Sequence, residues 1–251
     1  MPGKKDPHGL ADAAYNRSRL TPNAADAGDF ALADLRAALE RVRSDERLRV
    51  LDYGCGGSPY RSLFPNADYR RADCVDVPGL DYVFGDDEKI AAPDGCFDLV
   101  LSTQVLEHVR HPQWYLREAH RLLKPGGRIV VSTHGIFEEH GAPIDFRRWT
   151  LEGLFCELED AGFAREQGCK LTCGPRALLF WMIRHLWMGQ PTWKSVFGAG
   201  WNAMRGRVLA HPAWFNRQGD RHFKRYGIMH YGPDVPSIYV GVVVVGRKAT
   251  G

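Results

Sequence analysis

No run of about 18 consecutive apolar residues occurs in the chain, so nothing in it has the length and hydropathy of a membrane-spanning helix. The N-terminal stretch MPGKKDPHGLADAAYNRS lacks the apolar core of a secretory signal and reads as a frayed tail over residues 1–28. The six cysteines (Cys55, Cys74, Cys96, Cys156, Cys169 and Cys173) form no CxxC pair and no metal-ligand spacing. Reduced thiols, a cytoplasmic location and no metal are therefore the expectation. There is no internal repeat and no low-complexity tract. These absences argue against a membrane span, a disulfide-framed module and a solenoid. What is left is 251 residues, 44% hydrophobic and 25% charged, enough for one large globular α/β domain.

Acidic residues are scarce in one window. Between Gly174 and His230 there are nine Lys or Arg and a single acid, Asp220, a local net charge of +8 in a chain whose total is +3. Five of the seven tryptophans (Trp181, Trp187, Trp193, Trp201, Trp214) fall there as well. A mildly acidic body thus carries a basic, aromatic-rich insert, placed at 174–236.

The body reads as alternating strands and helices. Residues 29–45 have apolar positions at helical spacing, and LRVLDYG (48–54) is a short apolar run stopped by glycine, as expected of a buried parallel strand. DYRRADC (68–74), LDYVFGD (80–86), FDLVLSTQV (97–105) and RIVVSTHG (128–135) continue the strand series. WYLREAHRLLK (114–124) is an amphipathic helix, with Pro125-Gly126-Gly127 as its stop. Thr150 and Glu152 open a helix through Ala161, ended by Gly162; a strand over Ala164–Cys173 follows. SIYVGVVVVGRK (237–248) is the most β-rich segment. Strands alternating with helices predict a parallel α/β sheet covered on both faces. The α/β domain spans 29–173 and regains its final strand at 237–251.

VLDYGCGGSP has the layout of a strand, a glycine turn and a helix start. Gly54 and Gly56 allow the backbone to bend tightly and approach a ligand. Pro59 stands where a dinucleotide fingerprint needs its third Gly or Ala, which counts against NAD. Asp52 precedes the turn, Asp73 ends the next strand 21 residues on, and Asp86 ends a third. Ligands of open α/β sheets bind outside the carboxyl ends of the strands, so these acids are expected to converge on one crevice. Taken singly, each is equally well a solvated loop acid or a helix cap.

From about Leu48 to Phe163 the chain resembles class I S-adenosylmethionine (SAM)-dependent methyltransferases. The resemblance is to the broad bacterial group patterned LDxGCGxxPY, an acid after strand two, then GD…FDxVL…VLEHV…RxLKPGG. The matching pieces are Leu51–Tyr60, Asp73, Gly85-Asp86, Phe97–Leu101, Val105–Val109 and Arg121–Gly127. The resemblance implies a doubly wound, Rossmann-like seven-stranded α/β sheet whose last strand is antiparallel, with a helical insert before that strand. It implies SAM as cofactor. Asp52, Tyr53, Gly54, Cys55 and Gly56 would line its methionine end, Asp73 its ribose, and Asp86 with Asp87 its adenine. Ser102 and Gln104 would border the methionine and sulfonium.

Candidate catalytic residues are His108 in VLEHV and His134, His140 and Asp145 in STHGIFEEHGAPIDFRRWT (132–150), which follows a strand on the same edge. Histidine suits general-base work at neutral pH for a hydroxyl acceptor. His108 has an equally simple structural reading. Arg147 and Arg148 either pair with an anionic group on the acceptor or close a salt-bridged loop with Asp145, with Trp149 packed on the helix that follows. The expected substrate is a small molecule or glycan precursor, methylated at a hydroxyl and compatible with negative charge. A nucleic-acid methyltransferase drawing on the basic insert is a rival, weakened because Ser102-Thr103-Gln104-Val105 replaces the Asn/Asp-Pro-Pro-aromatic signature of base-amino methylation. A non-catalytic SAM-fold binding protein is a third reading. The insert reads as a lid or dimer face, or, through 175–188, as a helix lying on a membrane surface.

Overall fold

The computed structural model describes residues 19–22, 30–75, 78–140, 144–174, 177, 178, 180, 181 and 238–250, with the isolated positions 203, 211, 214 and 221. Expectations for the 1–28 tail, the 174–236 insert, its dimer face and the 175–188 helix fall almost wholly outside the described residues.

Helix α1 (Phe30–Leu39) precedes β1 (Arg49–Tyr53), β2 (Asp68–Asp73), a two-residue β3 (Tyr82–Val83) and β4 (Phe97–Thr103). Helix α2 (Pro112–Leu122), β5 (Leu123–His134), α3 (Leu151–Asp160), β6 (Phe163–Cys173) and β7 (Tyr239–Lys248) complete the order. The seven strands form one sheet in the order β3-β2-β1-β4-β5-β7-β6. β7 runs antiparallel between β5 and β6, and β3, β2, β1, β4 and β5 pair in parallel. This is the Rossmann-like α/β sheet with an antiparallel last strand that the resemblance implied.

Both faces are buried, which explains why the strands read as continuous apolar runs rather than alternating ones. Leu51, Val100, Ile129, Val131, Val242 and Val244 pack with Tyr115, Leu116 and Ala119 of α2 and Leu151, Leu154 and Leu158 of α3. Their strand neighbours Val50, Leu99, Leu101, Val130, Val243 and Val245 pack with Leu35 and Leu39 of α1. Among the described residues no helix is long and apolar enough to cross a membrane.

Two local expectations need correction. No α-helix follows the glycine turn after β1; only a 3-10 turn at Arg61–Leu63 does. Pro59 lacks an N–H, Ser58 has φ +55°, and Pro65 disfavours helical backbone at Phe64, so helix cannot propagate there. Nor does Pro125-Gly126-Gly127 stop α2. The helix starts earlier, with Pro112 in its first turn, and ends at Leu122 because Leu123 is already extended (φ −76°, ψ 141°). The N–H groups of Gly95 and Cys96 satisfy the carbonyls of Arg121 and Leu122 at 2.9 Å each. LKPGG is therefore the first stretch of β5, where Pro125 biases Lys124 towards extended backbone. The α3 boundaries follow from composition: Thr150 Oγ1 accepts from Gly153 N at 3.0 Å, and Gly162 leaves the helix at φ +98°.

Candidate functional site

The carboxyl ends of β1, β2, β4 and β5 surround a cavity of about 500 Å³. Its first wall is the turn after β1. Gly54 has φ +78° and Gly56 φ +47°, and the N–H groups of Gly54 and Cys55 both donate to Ala72 O, at 2.8 and 3.0 Å. A Cβ on Gly54 would stand 2.6 Å from the Val105 methyls, whereas one on Gly56 would meet nothing within 4 Å. The first glycine is fixed by packing, and the second leaves backbone bare beside the cavity.

Two side chains of β2 hold this turn. Asp73 accepts from Gly56 N at 2.7 Å and from Val75 N at 3.0 Å. Arg71 donates through Nε to Ser58 Oγ at 2.9 Å and through its terminal nitrogens to the carbonyls of Gly56 (3.0 Å), Pro78 (3.0 Å) and Gly79 (3.1 Å). Asp73, Gly85, Asp86 and Asp87 face the cavity. Asp87 (φ +57°) is paired with His111 Nδ1. Tyr53 also lines the cavity; its ring stacks on Tyr115 at 3.9 Å, and its buried hydroxyl has no hydrogen-bond partner among the described residues. At the end of β4, Gln104 sits in left-handed backbone (φ +55°), pinned because its N–H donates to Ser132 O at 2.9 Å.

The opposite wall is a carboxylate among three imidazoles. Glu107 is fully buried; Thr133 Oγ1 donates to its Oε2 at 2.8 Å, while Oε1 has no hydrogen bond among the described residues and lies 3.2 Å from His134 Nε2 and 4.0 Å from His108 Nε2. Burial pushes the Glu107 carboxyl up to about 7. Burial likewise takes the His134 imidazole far below its usual value, with His140 and Arg148 adding to the effect. His108 is lowered by burial too, against the backbone carbonyl of Ile144, 2.8 Å from its Nδ1. His140 Nδ1 pairs with Asp145 Oδ2 at 2.7 Å. Burial alone would raise the Asp145 carboxyl, but hydrogen bonds from Arg148 and His140 hold it well below the carboxylate range. Phe137 stacks on His134 at 4.0 Å, and Phe146, Phe180, Val109 and Val240 make the rest of this end apolar.

The methyltransferase-domain family profile matches residues 26–167, more than half of the chain. The chain belongs to that family. Among its relatives, the ubiquinone biosynthesis O-methyltransferase of Ruegeria pomeroyi is 33% identical over 151 residues, covering 51% of this chain and 57% of that protein. The chain thus spans little more than half the length of such a relative. In fold it is similar to the Burkholderia thailandensis 1,6-didemethyltoxoflavin-N1-methyltransferase, solved with S-adenosylhomocysteine (TM-score 0.53, 16% identity, 96% of this chain and 83% of that one). It is also similar to the [4+2]-cyclase SpnF (TM-score 0.51, 21% identity, 88% and 82%).

S-adenosylmethionine is the cofactor that the sequence resemblance implies for this methyltransferase-family protein. Its residues fit that molecule: bare backbone at Gly56, an acid ending β2 and the unpaired Tyr53 hydroxyl all border one cavity.

Of the residues expected at the cofactor, Tyr53, Gly54, Cys55, Gly56, Asp73, Asp86, Asp87 and Gln104 line the cavity. Asp52 and Ser102 do not. Asp52 is buried behind the turn, where Tyr69 OH donates to it at 2.8 Å and burial raises its carboxyl to about 6. Ser102 Oγ is bonded to Tyr115 OH at 2.9 Å. Alternation along β1 and β4 accounts for both, since their neighbours Tyr53 and Thr103 face the cavity instead. His108, His134 and His140 line the cavity together; Asp145 stands behind His140. Neither arginine lines the cavity. Arg148 clamps Asp145 and the carbonyls of Phe137 and Glu138, and Arg147 donates to the carbonyls of Val109 and Arg110. Sequence reasoning missed Arg71, Glu107 and Phe137. Glu107 stood beside His108 inside an apolar VLEHV run, a setting that buries its carboxylate completely.

Proposed function

We propose that this protein transfers a methyl group from S-adenosylmethionine to a hydroxyl of a small molecule built on an apolar or aromatic frame. The observation that carries the reading is the His140–Asp145 pair facing the same cavity as the glycine turn. With Nδ1–H donated to a carboxylate, the imidazole keeps its lone pair on Nε2, the form needed to take a hydroxyl proton. When bound, SAM supplies a methyl group already activated on a sulfonium. The chain's own task is to align the acceptor and shed water.

In this reading Tyr53–Gly56, Asp73, Asp86, Asp87 and Gln104 hold the cofactor. His140 takes the acceptor proton, Asp145 positions His140, and His134 and His108 border the hydroxyl as neutral groups. Phe137, Phe146, Phe180, Val109 and Val240 suit an apolar ring better than a sugar polyol, which favours a small aromatic or isoprenoid-like acceptor over a glycan precursor. The relatives' name, ubiquinone biosynthesis O-methyltransferase, points to the same acceptor atom. The nucleic-acid reading draws on the 174–236 insert and gains nothing from the cavity.

Calorimetry with SAM and S-adenosylhomocysteine, followed by methyl incorporation into hydroxylated aromatics, nucleotide sugars and oligonucleotides, tests the proposal. Binding of both cofactor forms and labelling of the aromatic hydroxyl are expected. Absence of cofactor binding, or labelling confined to oligonucleotides, overturns it.

A further inference from the structure

We propose that Glu107, His134 and His140 form a binding site for a divalent transition-metal cation at the acceptor end of the cavity. One ligand atom from each of the three lies within 4.8 Å of the others. A tetrahedral ion with bonds near 2.1 Å needs ligand atoms about 3.4 Å apart, so closure brings together a pair up to 4.8 Å apart by at most about 1.4 Å. His140, half-buried at the cavity edge, supplies that movement.

The donor atoms are prepared for it. Asp145 takes the Nδ1–H of His140 at 2.7 Å and is itself clamped by Arg148, which keeps the lone pair on Nε2 while the ring can still pivot about that bond. A carboxylate behind the imidazole is the usual outer partner of a metal-bound histidine. Glu107 Oε2 is anchored by Thr133 at 2.8 Å, and its Oε1 is a fully buried oxygen with no hydrogen bond among the described residues. Such an atom carries a desolvation cost that a cation 2 Å away would remove. His108 presents a further nitrogen: with Nδ1 against the Ile144 carbonyl, its Nε2 stands 4.0 Å from the same Glu107 oxygen.

Ligand chemistry sets the class of ion. Two imidazoles and one carboxylate, with positions left open, suit Zn²⁺, Mn²⁺, Fe²⁺ or Co²⁺ rather than the all-oxygen cages of Ca²⁺ or Mg²⁺. Two neutral imidazoles and one carboxylate leave a divalent ion with one uncompensated positive charge, which an ionised acceptor oxygen would balance. The cation would then lower the hydroxyl's proton affinity directly, its proton leaving to solvent, and His140 would act as a ligand in place of a base. This chemical role rests on the hydroxyl-acceptor reading; the geometry of the site does not.

The test uses the full, untagged chain stripped with EDTA and titrated with ZnCl₂ and with CoCl₂. Calorimetry, elemental analysis and the visible Co²⁺ spectrum are the readouts. One ion per chain, bound at least tenfold more weakly by Glu107→Gln and by His140→Asn, is the expected result. No stoichiometric ion, or equal binding by both variants, overturns the proposal. Should Glu107→Gln fail to fold, the half-buried His140→Asn alone decides. S-adenosylhomocysteine binding is measured on the same samples. Its loss from the wild-type chain defeats the methyltransferase reading, whereas its retention without metal binding defeats only the cation site.

Discussion

The backbone N–H of Gly56 donates to Asp73 Oδ2 at 2.7 Å, so the acid ending β2 shapes the glycine turn that ends β1 while it faces the cavity. A charge-assisted hydrogen bond of this kind contributes about 1.5–3 kcal/mol. In the proposed function, cofactor affinity and turn geometry therefore share one carboxylate.

Asp73→Asn keeps an oxygen for Gly56 but loses the charge, and Asp73→Ala loses both. S-adenosylhomocysteine affinity should fall about tenfold in the first and about a hundredfold in the second, by calorimetry. Wild-type affinity in the alanine variant would remove Asp73 from the cofactor site.

Gly54→Val puts a branched side chain at φ +78° and within 2.6 Å of Val105. The backbone cost and the clash together should lower unfolding free energy by about 2–4 kcal/mol, read from the urea midpoint. Gly56→Ala meets nothing within 4 Å, so it should cost about 1 kcal/mol and weaken cofactor binding instead. Equal stability losses in the two variants would contradict this division.

His140→Asn removes the Asp145-oriented imidazole. Turnover should drop about a hundredfold or more while S-adenosylhomocysteine affinity stays within a factor of about two. Unchanged turnover would take His140 out of the reaction.

Burial holds Glu107 at about 7 against an ordinary 4.5. The folded protein then grips this proton more tightly than the unfolded chain does. Its stabilisation is fully present below pH 4.5 and is lost as pH rises to about 7. His134, depressed by burial, has the opposite sign: its contribution is lost as pH falls below 6.5. Comparing wild type with Glu107→Gln in EDTA isolates the carboxyl, because His134 titrates in both. The variant should gain on wild type, by on the order of 3 kcal/mol, between these two pH values and by no more above them. A pH-independent gap would mean that Glu107 is ionised throughout.

Much of the architecture was legible because covering a sheet on both faces demands unbroken apolar strands, and 48–54, 97–105, 128–135 and 237–248 supply them. The turn acids were legible because strand ends fix where ligands sit. Asp52 and Ser102 misled because a position in a motif does not say which way a strand residue points; Tyr53 and Thr103 took the cavity-facing places. The helix stop assigned to Pro125-Gly126-Gly127 failed because the same residues also suit the entry to a buried strand. His134 and His140 were legible as candidates on one sheet edge, but their meeting with Glu107 was not. The three come from a 3-10 turn, the end of β5 and the loop beyond, and no local spacing joins them.

The last three residues of β5 each make a contact at the cavity: Ser132 O accepts from the Gln104 N–H, Thr133 bonds Glu107 Oε2, and His134 approaches Glu107 Oε1. In the proposed function, donor handling and acceptor handling thus meet in three adjacent residues of one strand. A single insertion or deletion there would displace all three contacts at once, whereas a substitution at Phe137, in the loop beyond β5, would leave them in place.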